Sequence, residues 1–310
     1  MTRNASETSD WNLATLESPV DGIDIRYARW EPQPSAFGVL LLNGRMEWIE
    51  KYGPLPAEIK LSQPVCWATM DHRGQGASGG PKAHVRSYDE YTRDVGAVAQ
   101  QVFGDRPYAV IAHSMGGLIA MHGCLHGHLR PRSMSLCSPL FALPDRPVPR
   151  RLAEPLAALI RRTRWQAQPT GVRKERRSSF HRNPLTHSQQ AFERAMQSPF
   201  LYVSPTFGWV AATFDACREI FDETRILQLS CPVQIFSGTE ESIVDPRAYP
   251  LWCERASALQ HHPVQYRLVT DGRHELLNEI PRIKSQVLSS IVHSLERFLV
   301  SKSTVDCDEP

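Results

Sequence analysis

Ser114 stands in the segment Ala112-His113-Ser114-Met115-Gly116-Gly117, between the apolar run YAVIA (108–112) and a second apolar stretch with Leu118, Ile119 and Met121. A serine hydroxyl is presented for attack when the chain turns sharply out of a strand and into a helix, lifting the side chain clear of the sheet. Small residues two positions before and two after it, here Ala112 and Gly116, permit that turn. The helix that follows offers unpaired N–H groups where negative charge develops on an attacked carbonyl. The chemistry implied is acyl transfer through a covalent serine intermediate. Such a serine needs a base, and the base needs a carboxylate to orient it. In the chain order that accompanies this turn, both follow the serine. The run VQIF (233–236) leads into a loop with Glu240, Glu241 and Asp245, and the run VQYRLV (264–269) leads into Asp271-Gly272-Arg273-His274-Glu275. Of 12 histidines, His274 is the base candidate because it falls just past a late strand, where open α/β sheets build their sites. Glu241 and Asp245 are the acid candidates. A second amide for the oxyanion is expected from the loop after the third strand, where Asn43-Gly44 aims the N–H of Arg45 inward beside that of Met115.

These residues need a scaffold. Short apolar runs at 37–42, 65–70, 108–112, 134–137, 233–236 and 264–269 predict strands, the first four continuous, as in strands buried on both faces. Alternating stretches near 11–16 and 23–30 predict an antiparallel edge. Ser87-Tyr88-Asp89-Glu90 reads as a capping box, and Tyr91, Val95, Val98, Ala99 and Val102 follow at helical spacing. Pro281 opens a last helix whose stripe is Val287, Leu288, Ile291, Val292, Leu295, Phe298 and Leu299. Strand–helix alternation predicts a mostly parallel α/β sheet with helices on both faces, formed by residues 1–138 and 231–300. Residues 139–230 show no strand and read as an all-helical insertion, and 301–310 as a frayed tail. Within the insertion, residues 146–182 hold eleven Arg or Lys against two Glu, a net of +9 in a chain whose total is +2. There Leu156, Leu159 and Ile160 share one helix face flanked by Arg161, Arg162 and Arg164, suiting an acyl chain beneath and anionic head groups above.

With 35 basic against 33 acidic residues, no global field points to nucleic acid. Seven scattered cysteines without CxxC spacing read as reduced thiols. The first residues lack the apolar core of a secretory signal, and the aliphatic run 39–42 is far too short to span a bilayer. A cytoplasmic protein that can still touch an anionic membrane surface is expected. Gly74-Gln75-Gly76-Ala77-Ser78-Gly79 matches a dinucleotide fingerprint, but Pro81 follows and the next helix begins near Ser87, leaving no helix N-terminus for a pyrophosphate. His122 and His126 are spaced as zinc ligands can be; no third ligand is apparent in the sequence, and no metal or other cofactor is expected.

Together, NGRMEWIEKYG, MDHRGQGASGG, AHSMGG, the 238–245 loop and DGRHE resemble the monoacylglycerol lipase and lysophospholipase (serine aminopeptidase-like) branch of the α/β-hydrolase superfamily. The resemblance implies an eight-stranded sheet with a helical cap after strand six, and hydrolysis of carboxylic esters such as lysophospholipids or monoacylglycerols. It implies Ser114 as nucleophile, His274 as base and Glu241, three residues after Gly238, as acid, with Asp245 the other candidate. The family's loop usually begins His-Gly; Asn43 replaces that histidine here. An iminopeptidase-type peptidase, an acyltransferase and an inactive scaffold would share the fold. The complete triad speaks against the scaffold, and Ser114 in place of an aspartate speaks against epoxide hydrolases and dehalogenases.

Overall fold

The computed structural model describes residues 11–145, 148–171, 179–198, 200 and 204–300; the tail expected at 301–310 lies outside them. The first half of the chain runs β1 (Asn12–Glu17), β2 (Asp24–Trp30), β3 (Gly38–Leu42), α1 (Leu55–Glu58), β4 (Cys66–Met70), α2 (Tyr88–Phe103), β5 (Tyr108–His113), α3 (Met115–Leu125) and β6 (Met134–Cys137). The helices α4 (Arg150–Arg161), α5 (Gln189–Met196), α6 (Phe207–Glu219) and α7 (Glu223–Ile226) follow. The chain then closes with β7 (Val233–Gly238), α8 (Ala248–Leu259), β8 (Val264–Val269) and α9 (Pro281–Val300). The strands form one sheet in the order β1-β2-β4-β3-β5-β6-β7-β8. β2 runs antiparallel to both neighbours, and every pairing from β4 to β8 is parallel.

Continuous apolar strands are what a sheet covered on both faces demands, because alternate side chains enter opposite cores. Leu40, Leu42, Val110, Ala112 and Leu136 pack on the face carrying α2, α3 and α8. Val39, Leu41, Ala109, Ile111 and Cys137 pack on the other, with α9 through Ile283, Val287, Ile291, Leu295 and Leu299. Each buried leucine, isoleucine or valine among these stabilises the fold by about 1.5–3 kcal/mol relative to exposure.

The Ser87–Glu90 capping box does not form. Ser87 occupies the N-cap of α2 without a side-chain hydrogen bond. Glu90 instead accepts from the backbone N–H of Arg86 at 3.4 Å and from its guanidinium at 2.7 Å, and pairs with the buried Arg73. Two arginines outcompete a backbone amide for that carboxylate. No strand forms between β6 and β7 among the described residues; a single bridge joins Pro169 and Thr206. Among the described residues, no helix is long and apolar enough to cross a membrane.

Candidate active site

The parallel strands all deliver their C-terminal ends to one edge of the sheet. Four loops meet there, following β3, β5, β7 and β8. Ser114 is the single residue between β5 and α3, with φ 51° and ψ −117°. That positive φ is strained for any residue with a Cβ, and it is held because Ser114 accepts two backbone hydrogen bonds from α3 while its own N–H donates to Cys137. Gly116 makes the turn possible at close quarters: a Cβ there would lie 2.5 Å from the carbonyl oxygens of Leu42 and Asn43. The N-terminus of α3 therefore rests against the exit of β3, which brings the amide of Met115 to the 43–46 loop.

That loop is tied from both sides. The N–H of Gly44 donates to the buried Glu47 carboxylate, and the N–H of Met46 donates to Gln75 Oε1 at 2.6 Å. Gln75 also reaches the sulfur of Met115 at 3.3 Å. It belongs to the Gly74–Gly79 stretch, whose role is thus packing beside the site. Asp71 fastens the same stretch by accepting from the amides of Ile49 and Ala77, each at 2.9 Å.

His274 and Glu241 arrive on loops that cross at van der Waals limits. A Cβ on Gly238 would sit 1.9 Å from the carbonyl oxygen of Gly272, so only glycine lets the β7 and β8 loops approach this closely. Hydrogen bonds from Glu240 N to Gly272 and from Asp271 N to Thr239 stitch the two loops together. Across this seam, Glu241 Oε2 lies 2.7 Å from His274 Nδ1, and His274 Nε2 lies 3.0 Å from Ser114 Oγ. The second oxygen of Glu241 accepts from the amides of Ile243 and Val244 at 2.7 and 3.3 Å. Burial alone would raise the Glu241 carboxyl, but the imidazole and the two amides outweigh it and hold it down to about 2. The Glu241 carboxylate is therefore ionised across the range in which an imidazole titrates. Asp245 faces away: its carboxylate is gripped by Arg247, with both contacts at 2.8 Å. Of the two acid candidates, the structure brings Glu241 to His274 and leaves Asp245 at the start of α8.

Beneath the imidazole lies a buried charged cluster that sequence reasoning overlooked. Lys51 Nζ sits 2.6 Å from Glu47 and 2.7 Å from Glu275. Tyr52 donates to Glu47 at 2.9 Å, and His113 meets the edge of His274 with ring centroids 4.7 Å apart. Burial pushes the His113 imidazole down to about 4, which keeps it neutral beside its neighbour. The i,i+4 spacing of Glu47 and Lys51 was the one visible signal of this cluster.

Ser114 and His274 open into a cavity of about 620 Å³, within the range of small-molecule sites. Its walls include Arg45, Met46, Leu140, Leu143, Trp209, Val210, Phe214 and Ile243. Helix α4 contributes Ala153, Leu156 and Ala157. The face expected from sequence is thus rotated. Leu156 lines the cavity, but Leu159 is 65% exposed, and Ile160, one turn farther along, is not part of the wall. The reason is that α4 packs on α6 through Ala157, against Ala211 and Phe214, which turns Leu159 outward. Arg162 and Arg164 are exposed, whereas Arg161 is ion-paired with Asp215. A further correction concerns His122 and His126: a third potential ligand does exist, Glu219 at the end of α6.

The family model described as "serine aminopeptidase, S33" matches residues 33–281. Lysophospholipase L2 of Escherichia coli K12 is 30% identical over 307 residues, covering 90% of this chain and 86% of that protein. The monoacylglycerol lipase of Mycolicibacterium smegmatis is 32% identical over 102 residues, 32% of this chain and 36% of that one. Among solved structures, a soluble variant of monoglyceride lipase from Saccharomyces cerevisiae, in complex with a substrate analogue, superposes with a TM-score of 0.76 at 17% identity. It covers 94% of this chain and 96% of its own, a likeness of fold.

Proposed function

Because the chain belongs to the serine aminopeptidase S33 family of α/β-hydrolases, in its lysophospholipase and monoacylglycerol lipase branch, we propose that it is a serine hydrolase of monoacyl lipid esters. The observation that carries the reading is the hydrogen-bonded series Ser114–His274–Glu241, whose Ser114 and His274 line an apolar cavity. Ser114 Oγ attacks the ester carbonyl while His274 Nε2 takes its proton. Glu241 orients the imidazole and stabilises its charged form. The amides of Arg45 and Met115 hold the oxyanion, and each such donor typically lowers the barrier by about 3 kcal/mol. Collapse of the tetrahedral intermediate breaks the ester C–O bond, with His274 returning the proton to the leaving alcohol. Water then attacks the acyl-enzyme with His274 as base, releasing the fatty acid. An aminopeptidase would need a carboxylate to receive the substrate's amino group. Among the described residues the cavity's carboxylates are Glu47 and Glu275, and both are already held by Lys51, which favours the ester reading.

Residues 139–230 act in this reading as a lid. Its helix α4 turns an apolar stripe to solvent: Leu152, Leu156 and Leu159 are 57%, 52% and 65% exposed, with Val148 and Trp165 near them. Exposed arginines 151, 162 and 164 border the stripe. Apolar anchors among basic residues are the signature of a helix that lies in an anionic lipid surface. Val148 and Leu156 also line the cavity, so the route from the bilayer to Ser114 opens at the stripe.

The test compares lysophospholipid in anionic vesicles with a short soluble p-nitrophenyl ester. Surface attraction weakens as the Debye length contracts from ~10 Å at 0.1 M salt to ~3 Å at 1 M. Vesicle hydrolysis is expected to fall steeply with salt while the soluble ester barely responds. Changing Arg151, Arg162 and Arg164 to Gln should flatten the first dependence and leave the second alone. A wild-type ratio of the two rates that is constant across salt would remove the interfacial role from the lid.

A further inference from the structure

We propose that His122, His126 and Glu219 form a binding site for one divalent cation of the zinc class at the seam between α3 and α6. His122 lies in the last turn of α3 and His126 just beyond it, so the four-residue spacing stacks their rings, centroids 4.0 Å apart and planes inclined by 14°. Glu219, the last residue of α6, points one carboxylate oxygen at both rings. His122 Nε2 is 2.8 Å from that oxygen and His126 Nε2 is 3.2 Å from it. One oxygen thus serves two imidazole nitrogens, and only His122 forms a hydrogen bond with it. The His126 nitrogen is buried, faces the same oxygen and has no hydrogen-bond partner.

A cation resolves that mismatch because it accepts a lone pair from each nitrogen and from the carboxylate at once. Zinc binds imidazole nitrogen and carboxylate oxygen at about 2.0–2.2 Å, which puts tetrahedral ligand atoms about 3.4 Å apart. The three ligand atoms here all lie within 4.8 Å of one another, so side-chain shifts on the order of an ångström bring them to that spacing. Two imidazoles and a carboxylate are donors suited to zinc and its neighbours rather than to calcium or magnesium. Glu219 is 44% exposed and His126 17% exposed on their side chains, so water reaches the fourth position.

The placement gives the ion a mechanical role. Helix α3 begins directly after Ser114, and α6 supplies Trp209, Val210 and Phe214 to the cavity wall. An ion joining the two helices pins the roof of the cavity to the helix that presents the nucleophile.

The test is titration of the tag-free, chelator-treated full chain with Zn²⁺ by calorimetry, together with Co²⁺ titration followed by visible absorption. The expected result is one equivalent bound, a raised Tm and the absorption bands of low-symmetry, nitrogen- and oxygen-ligated Co²⁺. His126→Ala and Glu219→Gln, both at partly exposed positions, should each weaken binding at least tenfold and abolish the Tm rise, while His274→Ala should bind like wild type. His126→Gln serves as a milder variant should His126→Ala fail to fold. Absence of saturable binding to the wild type, binding unchanged in the two site variants, or binding lost in His274→Ala would each overturn the assignment.

Discussion

Replacing Ser114 with Ala is expected to reduce ester turnover by about 10³–10⁶-fold while leaving the folded structure in place. The size follows from how a triad works: once the nucleophile is gone, the base and the acid have nothing to activate, and what remains is binding and oxyanion stabilisation. The fold should tolerate the change because it removes one oxygen atom. The backbone turn at Ser114 is held by hydrogen bonds from α3 and to Cys137, none of which involves the side chain. Circular dichroism and a thermal melt check the fold, and kcat/KM on a p-nitrophenyl ester checks the chemistry. Retention of more than about 10% of wild-type activity would remove Ser114 from its role.

The second large effect separates two carboxylates four residues apart. Glu241→Gln is expected to lower kcat by about 10⁴-fold, as loss of the same charge does in a protease triad. The amide keeps the size of the side chain but offers Nδ1 of His274 the wrong partner and no charge to balance the imidazolium. Asp245→Asn should leave kcat within a few-fold of wild type. Its carboxylate contacts Arg247 rather than His274, so the imidazole keeps its partner when Asp245 loses its charge. Steady-state kinetics of the two variants, measured side by side, decide the matter. A reversal of the two effects would make Asp245 the acid.

Much of this architecture is legible in the sequence, for reasons of burial. The strands from β3 to β6 are continuous apolar runs because helices cover both sheet faces, and the stripe of α9 follows directly from its packing on one of them. The turn at Ser114 is equally visible, since Ala112 and Gly116 are small for a steric reason that acts locally. The acid is less so. Glu241 and Asp245 follow the same strand, and which one turns inward depends on the Gly238–Gly272 crossing, a contact between segments more than thirty residues apart. Long-range pairing also hid Glu219, which meets His122 across 97 residues of chain. The face of α4 was misjudged because helical spacing identifies a stripe but not what covers it. Small residues, Ala153 and Ala157, make the close contact with α6, and the larger Leu152 and Leu159 are left in solvent. Likewise the capping box at Ser87 is a local pattern undone by a competing local pair, Arg86 with Glu90, and by Arg73, whose pull on Glu90 is set by tertiary structure.

Reaction with a fluorophosphonate probe tests the central claim most directly, because only an activated serine attacks the phosphorus and displaces fluoride. Intact-mass analysis of the treated full chain should show one adduct per molecule, and peptide mapping should place it on Ser114. The adduct should be absent from Ser114→Ala and form far more slowly in Glu241→Gln. An unlabelled wild-type chain that is folded, or an adduct on a residue other than Ser114, would contradict the assignment of a Ser114–His274–Glu241 hydrolase.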